Sequence, residues 1–393
     1  MSQPQGHVVV EALLFVGLLV AVFVGFNIGG SSTGVAFGPA VGSQVLGKLA
    51  AAGLMTTFAL LGGWTIGREV VAKMGGEIVP QSEFTLLATV AVLFFVGLAL
   101  LVSNTFGVPA STSMTAVGAI AGLGLARGSL NSDVMLEIIS WWIVAPVIAF
   151  WICAVLGRYV YPYLDAWLQL DQTPGALVTL DRSSMIPRIR LGPNTTLREF
   201  GSTVLVVLVA CYMAFSAGAS NVANAVAPLV GNGALEMNTG ILLAGGAIGL
   251  GAFTIARRTL DTVGNDLTEL PILAALIVET VSASLISFLS AIGIPASLAV
   301  SATMCIVGLG WGRATRTVTI GDALGGEAPQ VSVNALTVER EDEVPKMGEE
   351  APDELSAHDL FDPGTTGRVI FFWMLTPSLS AIASYALFSS RFF

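Results

Sequence analysis

Long apolar runs separated by short polar segments are the dominant pattern along this chain. Ten runs can be marked, at residues 8–26, 45–66, 84–106, 110–127, 134–161, 200–216, 238–256, 271–292, 296–312 and 367–390. Most of them are about 20 residues long, the length at which a helix crosses a bilayer core of about 30 Å. The pattern predicts an all-α integral membrane protein, in which a short run such as 110–127 can be re-entrant instead of spanning.

The runs fall into two groups of five, separated by a polar connector at residues 165–199 that contains proline and several arginines. With an odd number of crossings in each group, the second group enters the membrane from the opposite face. This is the arrangement of an inverted-topology repeat. We therefore expect two inverted-topology repeats of about five helices each, with broken or re-entrant helices.

The two groups also share sequence. At an offset of 189, seven of the 17 columns that begin at Phe26 and Phe215 are identical. At an offset of 186, Pro109-Ala-Ser111 matches Pro295-Ala-Ser297, and a Gly-Leu-Gly segment follows in both copies. Matching blocks in the same order predict a duplicated chain.

The expected domains follow from these boundaries. Residues 1–164 form the first transmembrane repeat, 165–199 a cytoplasmic connector, 200–312 the second repeat, 313–366 an acidic cytoplasmic loop, and 367–393 the last helix of the second repeat. Within the loop, residues 339–362 hold ten carboxylates and two basic residues. This composition predicts a solvated, mobile segment.

Composition favours a membrane protein over an enzyme. Of all residues, 54% are hydrophobic and 11% are charged, against about 25% charged in soluble domains. The cysteines Cys153, Cys211 and Cys305 lie in apolar runs without metal-ligand spacing, and we expect them to be core residues. No nucleophile–base pair, metal-ligand cluster or nucleotide-binding loop is recognisable, so we expect neither an enzyme nor a nucleic-acid partner.

Basic residues are distributed unevenly between the two predicted faces. The loops on the N-terminal face hold Arg68, Lys73, Arg127 and Arg391, and the other 13 lysines and arginines lie opposite. Because cytoplasmic loops carry the excess of basic residues, we expect a multi-pass protein of the cell membrane with both termini outside. The first run lacks a basic flank and a clear cleavage site, so we expect a retained helix.

Two segments, 25–42 and 215–231, contain more Gly, Ser and Asn than a membrane helix needs, and each has a proline inside. Small residues let helices pack closely, which would explain a single such segment. Two of them at corresponding places in inverted repeats favour broken helices around a site at the membrane midplane.

The segments 108–118 and 294–307 have the pattern of helix starts, where proline fits the first turn and Ser or Thr caps free N–H groups. A helix N-terminus carries a partial positive charge that suits an anion. Four such starts would surround one oxyanion with amides and hydroxyls and without a cationic side chain. The predicted substrate-binding residues are Ser31, Ser32, Thr33, Ser111, Thr112, Ser113, Ser220, Asn221 and Ser297.

Glu279 is the one carboxylate in the middle of an apolar run. An ionisable group at that depth is a functional candidate by default, and a structural hydrogen bond to a neighbouring helix is the alternative. Glu279 could carry a proton, ligate a cation or accept a hydrogen bond from a protonated substrate. Together with Asn27 and Asn224 it is predicted to serve coupling, with sodium or a proton as the coupling ion and no other cofactor.

These motifs resemble the PiT family of inorganic phosphate transporters, whose halves each carry a GANDVANA-like signature. The second copy here, Gly218-Ala-Ser-Asn-Val-Ala-Asn-Ala225, is close to it, and the copy from Gly29 to Ala36 is weaker. Pro109-Ala-Ser-Thr-Ser113 is similar to the family's Pro-Val-Ser-Thr-Thr motif, and Glu279 matches an acidic residue upstream of the second such motif. The resemblance covers nearly the whole chain and implies cation-coupled phosphate transport.

One departure from the family concerns the Asp that follows the Asn of each signature. The resemblance implies that this Asp binds the coupling cation and phosphate, but Ser32 or Thr33 stands there in the first copy and Asn221 in the second. A donor-rich site without aspartate suits sulfate, which has no proton. The family includes a sulfate-permease branch with similarly altered signatures.

We therefore expect symport of an inorganic oxyanion by alternating access. Phosphate is favoured because most of the family carries it, and a sulfate permease is the alternative. An anion-selective channel and a sensor that has lost transport are alternatives of other classes. The expected partners are phosphate or sulfate and the lipid bilayer, and a homo-oligomer is left open.

Overall fold

The computed structural model describes residues 4–105, 111–168, 178–181, 188–191, 196–256, 260, 271–317 and 363–390. The helices described before the connector are α1 (Pro4–Gly42), α2 (Lys48–Trp64), α3 (Gly67–Gly76), α4 (Leu86–Thr105), α5 (Thr112–Arg127), α6 (Ser132–Val155) and α7 (Tyr161–Leu168). A 3-10 turn, Gln81–Glu83, precedes α4, and a π-helical turn, Leu156–Val160, joins α6 to α7.

The helices described after the connector are α8 (Leu197–Gly231), α9 (Met237–Thr254), α10 (Ile272–Ala291), α11 (Leu298–Ala314) and α12 (Pro363–Phe388). A 3-10 turn, Thr315–Thr317, follows α11. Each of the ten apolar runs overlaps one of these helices, so the helical character predicted for them is confirmed.

The connector contains two short antiparallel strands, β1 (Val178–Asp181) and β2 (Arg188–Leu191). This hairpin is a departure from the all-α expectation. Its residues alternate between apolar and polar, as in Val-Thr-Leu-Asp and Arg-Ile-Arg-Leu, and alternation of period two is the pattern of a strand. A search for long apolar runs does not detect such short alternating segments.

Within the described residues, six helical stretches are long and apolar enough to cross a membrane, and there are seven if the bent pair α2–α3 forms one span. The chain is therefore a multi-pass membrane protein. The count of ten crossings and the orientation of the termini stay predictions.

The prediction of broken helices at 25–42 and 215–231 was wrong, because α1 and α8 run through both segments as continuous helix. The hydroxyl of Ser31 donates to Ile28 O and that of Thr33 donates to Gly29 O, so these polar groups are satisfied by their own helix. The small residues of both segments instead allow close helix packing, which was the alternative to broken helices.

A break lies instead between α2 and α3, whose axes differ by 61°. Thr65 occupies it with φ −88° and ψ −89°, outside the helical region, and its hydroxyl donates to Leu61 O. The other interruptions follow the prediction: α5 and α11 are short helices of 16 and 17 residues that begin at the capping residues Ser111 and Ser297.

The two halves pack against each other through contacts that occur twice. A Cβ atom placed on Gly29 of α1 would lie 1.9 Å from Ile248 O of α9, and one on Gly218 of α8 would lie 2.0 Å from Ala59 O of α2. Gly29 and Gly218 differ by 189 positions, and so do Ala59 and Ile248. The same surface of each half thus meets its own counterpart, as in a two-fold interface.

The ends of the two halves cross over. Helix α6 packs on α11 of the other half, and α12 packs on α5. Pro146 in α6 and Pro377 in α12 lie at the same relative place, 231 positions apart. The last long helix of each half thus packs on the short helix of the other half.

We expect Gly308→Ala to destabilise the protein, because a Cβ at Gly308 would lie 2.2 Å from Phe150 O at the α6–α11 contact. Overpacking of this kind costs about 1–3 kcal/mol. The matched control is Gly246→Ala in α9, where a Cβ meets no atom within 4 Å. The measurement is the thermal unfolding midpoint of the detergent-purified protein. A midpoint for Gly308→Ala equal to that of the control would contradict the packing argument.

Candidate functional site

A buried cluster of amides and hydroxyls lies where the C-terminal half of α8 meets the N-terminus of α5. The amide nitrogen of Asn224 lies 3.2 Å from Thr112 Oγ1, 3.2 Å from Ser113 Oγ and 3.1 Å from Asn221 Oδ1. Thr112 donates its hydroxyl to Asn221 Oδ1. These bonds join the second signature to Thr112 and Ser113 of the first half.

Asn221 extends the cluster to α1. Its amide nitrogen donates to Ser32 Oγ over 3.4 Å. Ser32 and Asn221 are separated by 189 positions and are therefore counterparts in the duplication. Two positions that correspond in the sequence repeat are therefore in direct contact.

Ser220 extends the cluster to α11. Its hydroxyl donates to Ala296 O over 2.7 Å and lies 3.1 Å from Ser113 Oγ. Ala296 immediately precedes Ser297, whose hydroxyl caps α11 by accepting from Val300 N. Ser111 caps α5 in the same way by accepting from Met114 N. Two helix N-termini, one from each half, thus border the cluster.

The cluster is buried and uncharged. Its eight side chains are each at most 8% exposed: Ser32, Ser111, Thr112, Ser113, Ser220, Asn221, Asn224 and Ser297. None of the hydrogen bonds described for them involves a lysine, arginine or carboxylate side chain. Asn224 Oδ1 is buried and has no hydrogen-bond partner among the described residues, so an acceptor is available to a ligand.

Three polar residues of the cluster have apolar counterparts in the other copy of the sequence repeat. The counterparts of Thr112 and Ser113 at an offset of 186 are Leu298 and Ala299, and the counterpart of Asn224 at an offset of 189 is Val35. At these three positions the residues of α5 and α8 are polar, whereas their counterparts in α11 and α1 are apolar.

Two predicted binding residues lie outside the hydrogen bonds of the cluster. Ser31 and Thr33 bond to carbonyls of their own helix, Ile28 O and Gly29 O, whereas Ser32 between them faces Asn221. Successive residues of a helix point about 100° apart, so three adjacent hydroxyls cannot all face one ligand.

Asn27 takes part in a different contact. Its side-chain nitrogen donates to Phe23 O, and its side-chain oxygen accepts from Asn104 Nδ2 over 3.2 Å. Asn104 was missed by sequence reasoning. The available signal was an amide side chain inside the apolar run 84–106, at a depth where polar groups need partners.

Glu279 is 4% exposed in α10, and its Oε1 atom has no hydrogen-bond partner among the described residues. Four residues later, on the same face of the helix, Ala283 O accepts from Ser216 Oγ of α8. Ser216 lies one turn before Ser220. Glu279 is thus on a helix that packs against the cluster, and no described hydrogen bond joins its side chain to the cluster.

Metal-ligating side chains do not gather in the part of the chain that the structure describes. No group of three or more His, Cys, Asp or Glu side chains there could hold a metal ion. The three cysteines are buried and not bonded as disulfides, in accordance with their prediction as core residues.

The long apolar helices and the buried polar site between two halves define the chain as a membrane transport protein. A model described as the phosphate transporter family matches residues 28–384, and the chain belongs to this family. The resemblance inferred from the two signatures is therefore confirmed.

Relatives in this family carry names for two substrates. A sulfate permease of Bacillus subtilis is 31% identical over 298 residues, which cover 75% of this chain and 77% of that protein. A protein of Chlamydia pneumoniae named "Putative phosphate permease" is 27% identical over an alignment of 391 residues, covering 78% of this chain and 91% of that protein. A solved structure entitled "The sodium-dependent phosphate transporter" superimposes with a TM-score of 0.68 at 18% identity, covering 96% of this chain and 98% of the other.

We expect Thr112→Val to reduce oxyanion transport about tenfold, because removing a hydrogen-bonding group from a buried network leaves its partners unsatisfied. Thr57→Val is the matched control, since Thr57 is exposed and its hydroxyl bonds only to Gly53 O of its own helix. Initial uptake into proteoliposomes measures both. Equal rates for the two variants would exclude the cluster as the binding site.

Proposed function

We propose that this protein is a secondary active transporter of an inorganic oxyanion, with phosphate as the leading substrate. The observation that carries the proposal is the buried, uncharged cluster of hydroxyls and amides between the N-termini of α5 and α11. Membership in the phosphate transporter family supports it. The substrate-binding residues in this proposal are Ser32, Ser111, Thr112, Ser113, Ser220, Asn221, Asn224 and Ser297.

The site suits an anion that must be released again. Helix N-termini present free N–H groups and a partial positive charge, and hydroxyls can donate to an oxyanion. A full positive charge in a low-dielectric interior would bind the ion strongly and slow its release. An uncharged site of donors therefore fits a carrier better than a permanent binding protein.

The unpartnered Asn224 Oδ1 favours phosphate. Phosphate retains a proton for much of the time near neutral pH, and its hydroxyl needs an acceptor in a buried site. Asn224 Oδ1 is such an acceptor, buried and without a described partner. The name of the structural neighbour, a sodium-dependent phosphate transporter, agrees with this substrate.

Sulfate is the second candidate, and two other observations favour it. The cluster contains no carboxylate to receive a proton, and a sulfate permease is among the relatives. Sulfate has no proton near neutral pH and needs donors only. The choice between the two ions depends on whether Asn221 or Asn224 can replace the aspartates of the family signature.

For the transport cycle we propose alternating access by two inverted halves. Two observations support this mechanism: close helix contacts repeat at an offset of 189, and Ser32 contacts Asn221, its counterpart at the same offset. A continuous pore would make the protein an anion-selective channel. Saturable uptake that is driven by an ion gradient would separate the carrier from the channel.

We propose sodium or a proton as the coupling ion. Glu279 is the candidate proton carrier because its carboxyl group is buried at the middle of α10 with an unpartnered oxygen. Asn27, bonded to Asn104, and Asn224 supply amide oxygens that a sodium ion could use instead.

We propose that the protein lies in the lipid bilayer of the cell membrane with both termini outside. The connector and the acidic loop would then lie in the cytoplasm.

The proposed substrate is tested with purified protein in liposomes, using labelled phosphate and labelled sulfate, each under a sodium gradient and under a proton gradient. We expect accumulation of phosphate above the equilibrium level in at least one gradient, with unlabelled phosphate as a competitor. Empty liposomes are the control. Sulfate accumulation without phosphate would replace the leading substrate by the second one, and uptake of neither ion would refute the proposal.

Glu279→Gln is expected to abolish accumulation against a gradient, because the amide cannot take up and release a proton. Exchange of internal for external oxyanion can survive, since it needs no net movement of the coupling ion. Glu236→Gln is the matched control, because Glu236 is exposed ahead of α9 and its side chain makes no capping bond. Unchanged accumulation by Glu279→Gln would remove Glu279 from the coupling step.

A further inference from the structure

The turn between α10 and α11 is buried and short of hydrogen-bond donors. Gly293 makes the turn with φ +76°, and residues 294–298 are all buried. Pro295 has no N–H group of its own. A buried carbonyl in such a turn needs a donor from elsewhere in the protein.

Trp142 of α6 supplies one of these donors. Its indole N–H donates to Pro295 O over 2.7 Å. The next carbonyl, Ala296 O, accepts from Ser220, and the next residue, Ser297, caps α11. Three consecutive residues therefore connect an indole of the first half, a site hydroxyl of the second half and the N-terminus of α11.

A second contact holds the same turn from α3. The Nζ atom of Lys73 lies 2.9 Å from Glu137 Oε2 of α6, and the Lys73 side chain is only 11% exposed. Lys73 Cε lies 3.4 Å from the position of a Cβ on Gly293. The lysine thus packs against the turn while its charge is paired with the helix that carries Trp142.

We propose that Trp142 is a positioning residue, which sets the N-terminus of α11 against the hydroxyl–amide cluster by holding the carbonyl of Pro295. The inference rests on the proposed function, since it assigns to Trp142 an effect on oxyanion binding. Trp142 does not touch the ion itself. It acts through Ala296 and Ser297, whose positions depend on the preceding residue.

The duplication contains the same residue type at the corresponding place. At the offset of 231 that relates Pro146 to Pro377, Trp142 of α6 corresponds to Trp373 of α12. Both helices cross over to the short helix of the other half. A tryptophan at this place in both crossing helices is expected if its task is to fix the start of a short helix.

The transport test compares Trp142→Phe, Trp142→His and Trp141→Phe. We expect Trp142→Phe to raise the KM for the transported oxyanion about tenfold with little change in Vmax, since a buried carbonyl loses its donor. Trp142→His keeps a ring N–H and should restore part of the affinity. Trp141→Phe is the control, because Trp141 packs edge-on against Phe288 at 6.2 Å and makes no described bond to the turn. A merely structural role would lower the yield of folded protein and leave the KM of the folded fraction unchanged.

A second measurement needs no substrate. Hydrogen–deuterium exchange of the amides at 296–300 should be faster in Trp142→Phe than in the wild type and in Trp141→Phe. Unchanged exchange together with an unchanged KM would overturn the inference. If the wild type carried neither phosphate nor sulfate, the proposed function would fail, and faster exchange in Trp142→Phe alone would still establish the positioning of the turn.

Discussion

Contact between helix backbones at the centre of the molecule is the constraint on which the rest of the structure depends. Gly29 and Gly218 lie so close to carbonyl groups of α9 and α2 that no larger residue has room. Because the contact is made twice, it fixes α1 and α8 relative to each other as well. Polar residues of these two helices, Ser32 and Asn221 among them, are thereby brought into contact.

The second constraint is that polar groups in an apolar interior need partners. On α1, Ser31 and Thr33 satisfy theirs with carbonyls of their own helix. On α8, Ser220, Asn221 and Asn224 satisfy theirs across helix boundaries. Bonds across boundaries depend on how the helices are placed. The same side chains that could hold an anion therefore also report whether α5, α8 and α11 are correctly aligned.

The starts of the short helices could be predicted from the sequence because they depend on local residue types. Ser111 and Ser297 cap the short helices as their Pro-Ala-Ser context predicts. The direction in which each hydroxyl points could not be predicted. Ser31, Ser32 and Thr33 differ only in rotation about the helix axis, and that rotation is set by packing against α9. The pairing of Asn27 with Asn104, and of Trp142 with Pro295, joins residues that are 77 and 153 positions apart, and no local pattern indicates such partners.

The one-sided polarity of the cluster has a thermodynamic consequence for a carrier. If the two halves exchanged conformations and were identical, symmetry would make the affinity for the ion equal on both sides of the membrane. The counterparts of Thr112, Ser113 and Asn224 are Leu298, Ala299 and Val35, so the two end states of such a carrier would not offer the ion the same surroundings. Alternating access would then have an intrinsic bias, with a tighter state and a looser state even at zero membrane potential. Such a carrier would load the ion at low concentration on one face and release it into a high concentration on the other. It could do so only if the coupling ion supplied the difference in free energy.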